Sequence, residues 1–394
     1  MSATADPPVH PDDLLDLEGL LSAEDRAFRD KVRRFVVDRI DPHVAEWFEQ
    51  GIFPRELAEE MGQLGLLGMH LDGHGRVGSS ARHYGIASME LEAGDSAFRT
   101  FFSVQGTLSM RSIHEFGSDE QRERWLPEMA AGRAIGCFGL TEPKFGSDPR
   151  GLETQARRDG GDWILDGEKT WITNAGFADV AVVWAYADDA IRGFVVPMDT
   201  PGVSTREMRD KLSMRVLETS ALILEDCRVP ASAMLPEARG LRAPFSCLNE
   251  ARFGIAWGVN GLSRACFEAA LAYTKERQQF GKPLAAFQLT QDKLVRMATE
   301  INAGLLLAHR LADLADEHDR LTPEQISYGK LRNVEGAALV ARLARALLGA
   351  NGIVKECPIM RHMANMESVA TYEGTSEIQT LILGAHLTGL RAFA

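Results

Sequence analysis

From Ser22 onward the apolar residues Phe28, Val32, Phe35, Val36 and Ile40 follow helical spacing, which lays one stripe along a helix. Ser22 with Asp25 three residues later has the layout of a capping box, so a helix is predicted to start there. The same period returns over 55–67, 81–93 and 102–116, and the first third reads as an all-helical unit preceded by a loose, Pro- and Asp-rich arm over 1–21. Near Ile135 the pattern changes. IGCFGLTE, LETQARR, DWILDGEKTWITN, DVAVVWAYA, IRGFVVPM and SALILEDCRV are short, rich in β-branched and aromatic residues, and separated by Gly, Asp and Pro, which predicts a β-domain. Asp166-Gly167 inside the third of these is a two-residue hairpin signal. After Pro244 long apolar helical stripes persist to the C-terminus and predict a bundle with surplus apolar faces for self-association. The expected architecture is α+β: an N-terminal helical domain over 1–134, a middle β-barrel-like domain over 135–242, and a C-terminal four-helix-bundle domain over 243–394.

Composition narrows the classes. The chain has 394 residues, enough for two or three domains. Its 43 Lys and Arg against 56 Asp and Glu give a net charge of −13, which argues against nucleic acid as a partner. No apolar run is long enough to span a membrane. The first ten residues resemble neither a secretory signal nor a transit peptide, so a cytoplasmic location is the default expectation. Cys137, Cys227, Cys247, Cys266 and Cys357 form no CxxC pair, and their odd number suggests reduced, mostly buried thiols.

No GxGxxG follows a predicted strand, and GxxxxGK[ST], HExxH and GxSxG are missing, so the local signals for Rossmann, P-loop, zincin and serine-hydrolase chemistry are not there. Three segments stand out instead. In FGLTEPKFGSD (138–148) a strand ends in a Gly- and Pro-bearing turn where backbone N–H groups and the Thr141 and Ser147 hydroxyls can meet an acceptor-rich ligand; a plain turn is the simpler reading. WITN (171–174) places an aromatic plane and a hydroxyl, Trp171 and Thr173, on one strand face, which suits a planar heterocycle, although a β-domain Trp is more often core. YEGTSE (372–377) sets Glu373 beside a glycine and before a helix start, where a lone carboxylate is more often solvated than catalytic. Arg99 interrupts the apolar AFRTFFSV and needs a partner, for which Glu92, seven residues earlier on the same helical face, is a candidate.

Taken together, FGLTEPKFGSD, WITN, RQQFG, LLGANG and YEGTSEI, in this order along an α-β-α chain, resemble the acyl-CoA dehydrogenase flavoprotein family. Within it, ELEAGDSAFRTFFSVQ, PFSCLNEARFGIAWGV and NMESVATYEGTSEIQTLILG are most similar to glutaryl-CoA dehydrogenases. The resemblance implies FAD as cofactor, with Phe138, Leu140, Thr141, Ser147, Trp171, Ile172, Thr173 and Thr375 at the flavin and pyrophosphate. Arg277, Phe280 and Gln288 would hold the adenosine end, with Leu347, Leu348, Gly349 and Ala350 contributed by a neighbouring subunit of a homotetramer. It implies Glu373 as the catalytic base, and Arg99, Thr100, Glu92, Tyr372, Ser147, Arg252 and Gly374 as substrate-binding residues, with Arg99 pairing with the distal carboxylate of glutaryl-CoA. Oxidation followed by decarboxylation to crotonyl-CoA and CO2, with electrons passed to electron-transfer flavoprotein, is the implied reaction.

Two residues depart from the family pattern. Phe145 stands in the TEPxxGSD turn where a small residue or His is common, and Ala350 replaces the second Gly of a GG pair, which is tolerable only at negative φ. A dehydrogenase for another short-chain or dicarboxylyl acyl-CoA without decarboxylation, an acyl-CoA oxidase, and a non-catalytic binding module are the competing readings.

Overall fold

The structure, a computed structural model, describes residues 13–73, 76–318 and 320–392. Residues 1–12 of the expected loose arm lie outside the described residues. The rest of that arm is anchored, because Leu17 is buried in a short 3-10 turn and its amide donates to Asp13 Oδ1 at 2.7 Å. Ser22 caps α1 (Ala23–Phe35) reciprocally with Asp25. There follow α2 (Val44–Gln50), α3 (Leu57–Gln63), a ribbon of β1 (Asp72–Gly73) and β2 (Arg76–Val77), α4 (Ala81–Gly94), α5 (Ser96–Ser103), α6 (Arg111–Phe116) and α7 (Asp119–Ala130). The helix expected over 55–67 is shorter because Gly65 and Gly68 adopt positive φ. The one expected from Phe102 begins earlier, where Asp95 caps Ala97 N, and runs through a π-helical stretch (Val104–Met110) into α6.

Seven strands make one sheet: β3 (Gly136–Gly139), β4 (Gln155–Asp159), β5 (Asp162–Thr173), β6 (Val180–Ala187), β7 (Ala190–Pro197), β8 (Val203–Glu207) and β9 (Thr219–Pro230), in the order β3-β6-β4-β5-β9-β8 with β7 on β6. The hairpin expected at Asp166-Gly167 is not there. The chain turns at Gly160-Gly161, where Asp159 pairs with Asp162, and the whole of DWILDGEKTWIT is one strand. Gly167 marks a register shift against β9 between Leu165 and Gly167. A Cβ there would lie 2.5 Å from Thr154 Oγ1, so the glycine serves close strand approach at a bulge rather than chain reversal.

The C-terminal part comprises α8 (Arg242–Glu276), a ribbon of β10 (Gln278–Gln279) and β11 (Lys282–Pro283), α9 (Gln288–His318), α10 (Pro323–Leu347), α11 (Pro358–Thr371) and α12 (Ser376–Thr388). Helix α8 packs along both α4 and α10. Where it meets α4, a Cβ on Gly261 would fall 1.8 Å from Met89 O, so the two backbones touch as only glycine permits. The loop before β9 docks on α11 through Met214 N donating to Asn365 Oδ1 at 2.8 Å. The five cysteines are free thiols, four buried and Cys357 half-buried. Among the described residues, no helix is long and apolar enough to cross a membrane.

Candidate active site

The link between α11 and α12 carries the centre of the site. Reversing direction there requires two successive left-handed residues, Glu373 at φ 53 and Gly374 at φ 88. The first costs about 1–2 kcal/mol in a residue with a Cβ. Three side chains hold the turn by its carbonyls. Lys330 Nζ donates to Tyr372 O at 2.5 Å and to Gly374 O at 2.6 Å, Arg252 Nε donates to Glu373 O at 2.7 Å, and Gln379 Nε2 donates to Gly374 O at 2.9 Å. A Cβ on Gly374 would lie 2.7 Å from Gln379 Nε2 and 3.1 Å from Arg252 Nη2, so both the dihedral and the space demand glycine. Thr375 then caps α12.

The Glu373 side chain is half-buried. Its Oε2 is buried with no hydrogen-bond partner. Burial pushes its pKa above the ordinary 4.5, opposed by the nearby charges of Arg99, Lys330 and Arg252. Arg99 of α5 is fully buried. Its Nε donates to Glu92 Oε2 at 2.5 Å, its Nη2 donates to the Tyr372 hydroxyl, and its Nη1 has no partner. The Thr100 hydroxyl lies 3.3 Å from that of Tyr372. Burial works against the Arg99 charge, but Glu92, Tyr372 and Glu373 outweigh it and raise the guanidinium pKa. Room for the pair comes from α8, where a Cβ on Gly258 would meet Glu92 Oε2 at 2.4 Å.

Glu92, Arg99, Thr100, Arg252, Tyr372, Glu373 and Gly374 are thus brought into one network. Arg252, expected along the substrate path, bonds the Glu373 backbone and Asn249 Oδ1, so in the free chain it supports the turn. Sequence reading missed Lys330 and Gln379. The signal was there for Lys330, which falls on the buried face of α10 with Ile326, Asn333, Val334 and Ala337, an unusual place for a lysine.

The remaining expected residues lie outside this network. Trp171 is 62% exposed at φ 58, not core. Thr173 and Thr141 are half-buried and Ser147 is exposed. Ile172 packs its side chain into the β-domain core, so its backbone is what it offers a ligand. Phe138 and Leu140 are also packed in a core cluster, which leaves their backbone as the main offer to a ligand. Phe145 packs on Gly151, where a Cβ would meet its ring at 2.0 Å. Arg277, Phe280 and Gln288 are exposed at the α8–α9 connection. Asn351 Nδ2 donates to the Tyr273 hydroxyl at 2.9 Å, tying the turn of Gly349 and Ala350 to the end of α8 that carries Arg277. Leu347 is half-buried and Leu348 is packed into the bundle. Ala350 is not among the residues at positive φ, whereas Gly349 is, at φ 56, so the methyl of Ala350 adds no backbone strain.

The chain matches the N-terminal, middle and C-terminal domains of acyl-CoA dehydrogenase over residues 22–133, 137–227 and 238–388. It is 37% identical to the human mitochondrial short-chain specific acyl-CoA dehydrogenase over 90% of this chain and 88% of that protein. A glutaryl-CoA dehydrogenase from Mycobacterium smegmatis in complex with FADH2 superposes with a TM-score of 0.96 at 55% identity, covering 98% of this chain and 100% of that one. A glutaryl-coenzyme A dehydrogenase–glutaryl-CoA complex superposes at 0.88 with 32% identity, over 94% and 96%. On these matches and this architecture, the chain belongs to the acyl-CoA dehydrogenase family.

Proposed function

We propose that this acyl-CoA dehydrogenase uses FAD to oxidise glutaryl-CoA, with decarboxylation to crotonyl-CoA and electrons passed to electron-transfer flavoprotein. The observation that carries the substrate is the charge balance of the buried network. With every group charged, Arg99, Arg252 and Lys330 face Glu92 and Glu373, one positive charge remains uncompensated, and Arg99 Nη1 is left without a partner. A distal carboxylate on the acyl chain supplies both the charge and the acceptor, in the planar geometry that a guanidinium favours. A butyryl chain supplies neither. The similarity to glutaryl-CoA dehydrogenases across almost the whole chain supports the same reading.

FAD fits the residues present. The indole of Trp171 is held open on a left-handed residue, as a ring-stacking surface requires, with Thr173 two residues on along β5 and Thr141 tied to the same strand where Thr170 N donates to its carbonyl at 2.9 Å. When bound, FAD supplies the acceptor for the hydride that leaves the β-carbon. Glu373 removes the α-proton, its raised proton affinity making it a better base than a solvated carboxylate. After oxidation the glutaconyl carboxylate is vinylogous to the thioester, so its C–C bonding pair flows into a dienolate as CO2 departs. Protonated Glu373 then returns its proton and gives crotonyl-CoA. Phe280, Leu289, Val295 and Leu387 expose large apolar surface, which a homotetramer would cover while bringing one subunit's Arg277 and Gly349 turns to a neighbour's cofactor. A single-chain mass by light scattering would remove that part of the reading.

The test of function is product analysis of the FAD-loaded protein with glutaryl-CoA and an electron acceptor. Crotonyl-CoA and CO2 in equal amounts are expected, and accumulation of glutaconyl-CoA would remove the decarboxylating step. The similarity to short-chain dehydrogenases favours butyryl-CoA as the second reading. Faster flavin bleaching by butyryl-CoA than by glutaryl-CoA would decide for it.

A further inference from the structure

We infer that Lys330 is a positioning residue for the base: from α10 it holds the Tyr372–Gly374 turn in its left-handed form and, through its charge, keeps the Glu373 carboxylate ionised. This rests on Glu373 acting as the base, as proposed above. Lys330 Nζ donates to the carbonyls on either side of Glu373, at 2.5 and 2.6 Å, and lies 5.9 Å from the Tyr372 ring centroid. The residue is 1% exposed. Among the described residues, no carboxylate lies within ion-pair distance of this ammonium. A buried charge so placed is unfavourable for packing alone, and an apolar side chain of equal length would fill the same space. What its two bonds do is span the one residue of this turn with a left-handed φ and a Cβ.

The electrostatic side follows from the groups that face the pair. Arg99 comes from α5, Glu92 and Tyr84 from α4, Arg252 from α8, and Tyr372 from the connection itself. Arg99, Lys330 and Arg252 favour ionised Glu373, while Glu92 and burial oppose it. Burial in turn lowers the Lys330 pKa, against the pull of Glu373. Removing the lysine therefore raises the proton affinity of the base, so the acid limb of the reaction must move to higher pH.

The experiment is Lys330→Met in the FAD-loaded enzyme, read in two ways. The first is amide exchange over residues 369–376, where the Tyr372 amide bonds Ser368 O at 2.9 Å; about tenfold faster exchange is expected as the turn loosens. The second is the pH profile of flavin bleaching by whichever acyl-CoA reduces the wild type best. Its acid limb should rise by about one pH unit, and the limiting rate should fall much more than KM changes. A folded variant in which either readout stays at the wild-type value overturns the inference. If the methionine variant does not fold, Lys330→Gln keeps a donor without the charge. It should hold exchange near wild type yet shift the acid limb, and an unmoved limb overturns the inference. Exchange needs no substrate, so a wild type that ignores glutaryl-CoA counts against the proposed substrate alone, and the clamp is still decided.

Discussion

Glu90 is buried and Glu373 half-buried, both meet arginines of α8, and the chain treats the two carboxylates in opposite ways. Glu90 accepts from Arg33 Nε and Nη2 at 2.9 and 3.0 Å and from Arg264 Nη1 and Nη2 at 2.8 and 2.7 Å, two forks that tie α4 to α1 and to α8. Burial would raise its pKa, but the two guanidinium groups outweigh it and hold it down at about 2. Glu373 has its own arginine, Arg252, bonded to its backbone instead of its carboxylate, and its Oε2 is unpartnered. Its pKa moves up. A carboxylate fully paired in two forks has no affinity left for a proton at neutral pH, so it can only hold helices together. One whose cations grip the main chain stays charged and basic. The difference between structure and chemistry here is which atoms the cations touch.

The largest expected effect comes from removing the proposed base. Glu373→Gln should keep FAD bound, as seen in the flavin absorbance, and lower the rate of flavin bleaching by about 10⁴-fold, the upper end of what general base catalysis contributes. Its thermal midpoint should not fall, because a carboxyl whose proton affinity is raised by folding adds no stability as an anion. Undiminished bleaching would remove Glu373 as the base and erase the comparison.

The opposite pattern is expected at Glu90. Glu90→Ala leaves Arg33 and Arg264 facing each other without an anion, and should cost about 3 kcal/mol of stability with little change in turnover per folded enzyme. The pH dependence has a definite sign. The folded-state pKa lies near 2 against an ordinary 4.5, so the stabilisation is fully present above 4.5 and is lost as pH falls from there toward 2. Thermal midpoints taken across that window should fall less steeply in the variant than in the wild type. Parallel slopes would show that Glu90 is not the paired anion described.

Much of the fold was legible because its determinants are local. The Ser22 cap, the change of period near Ile135 and the long apolar stripes after Pro244 are each written within a few residues. Asp166-Gly167 misled because the same dipeptide suits a reversal or a bulge, and only Thr154 across the sheet decides. Within the site, Arg99 announced itself as a charge in an apolar run. Its contact with Tyr372 joins residues 273 apart, which no spacing rule reaches and only the family resemblance suggested. Lys330 stayed hidden because a helical lysine ordinarily lies on a solvated face. Ile172 belongs with its neighbours Trp171 and Thr173 through its backbone alone, since strand alternation sends its side chain into the core.

The smallest effect sharpens the comparison most, because it concerns a third carboxylate that is only half partnered. Glu92 gives one oxygen to Arg99 and leaves Oε1 without a partner, so it stands between the closed pairing of Glu90 and the open state of Glu373. Replacing Arg99 alone would strand Glu92 as a buried anion and confuse folding with recognition. The double variant Arg99→Met with Glu92→Gln removes the pair together and keeps the volume. It should lower kcat/KM for glutaryl-CoA by about 100-fold, roughly 2.7 kcal/mol, as expected for losing a buried guanidinium–carboxylate contact with substrate. With butyryl-CoA, which has no distal charge, the loss should stay below about tenfold. The ratio of the two losses is therefore the measure. Equal losses would mean that the Arg99–Glu92 pair, like Glu90, only holds helices together, and that the uncompensated positive charge does not select the substrate.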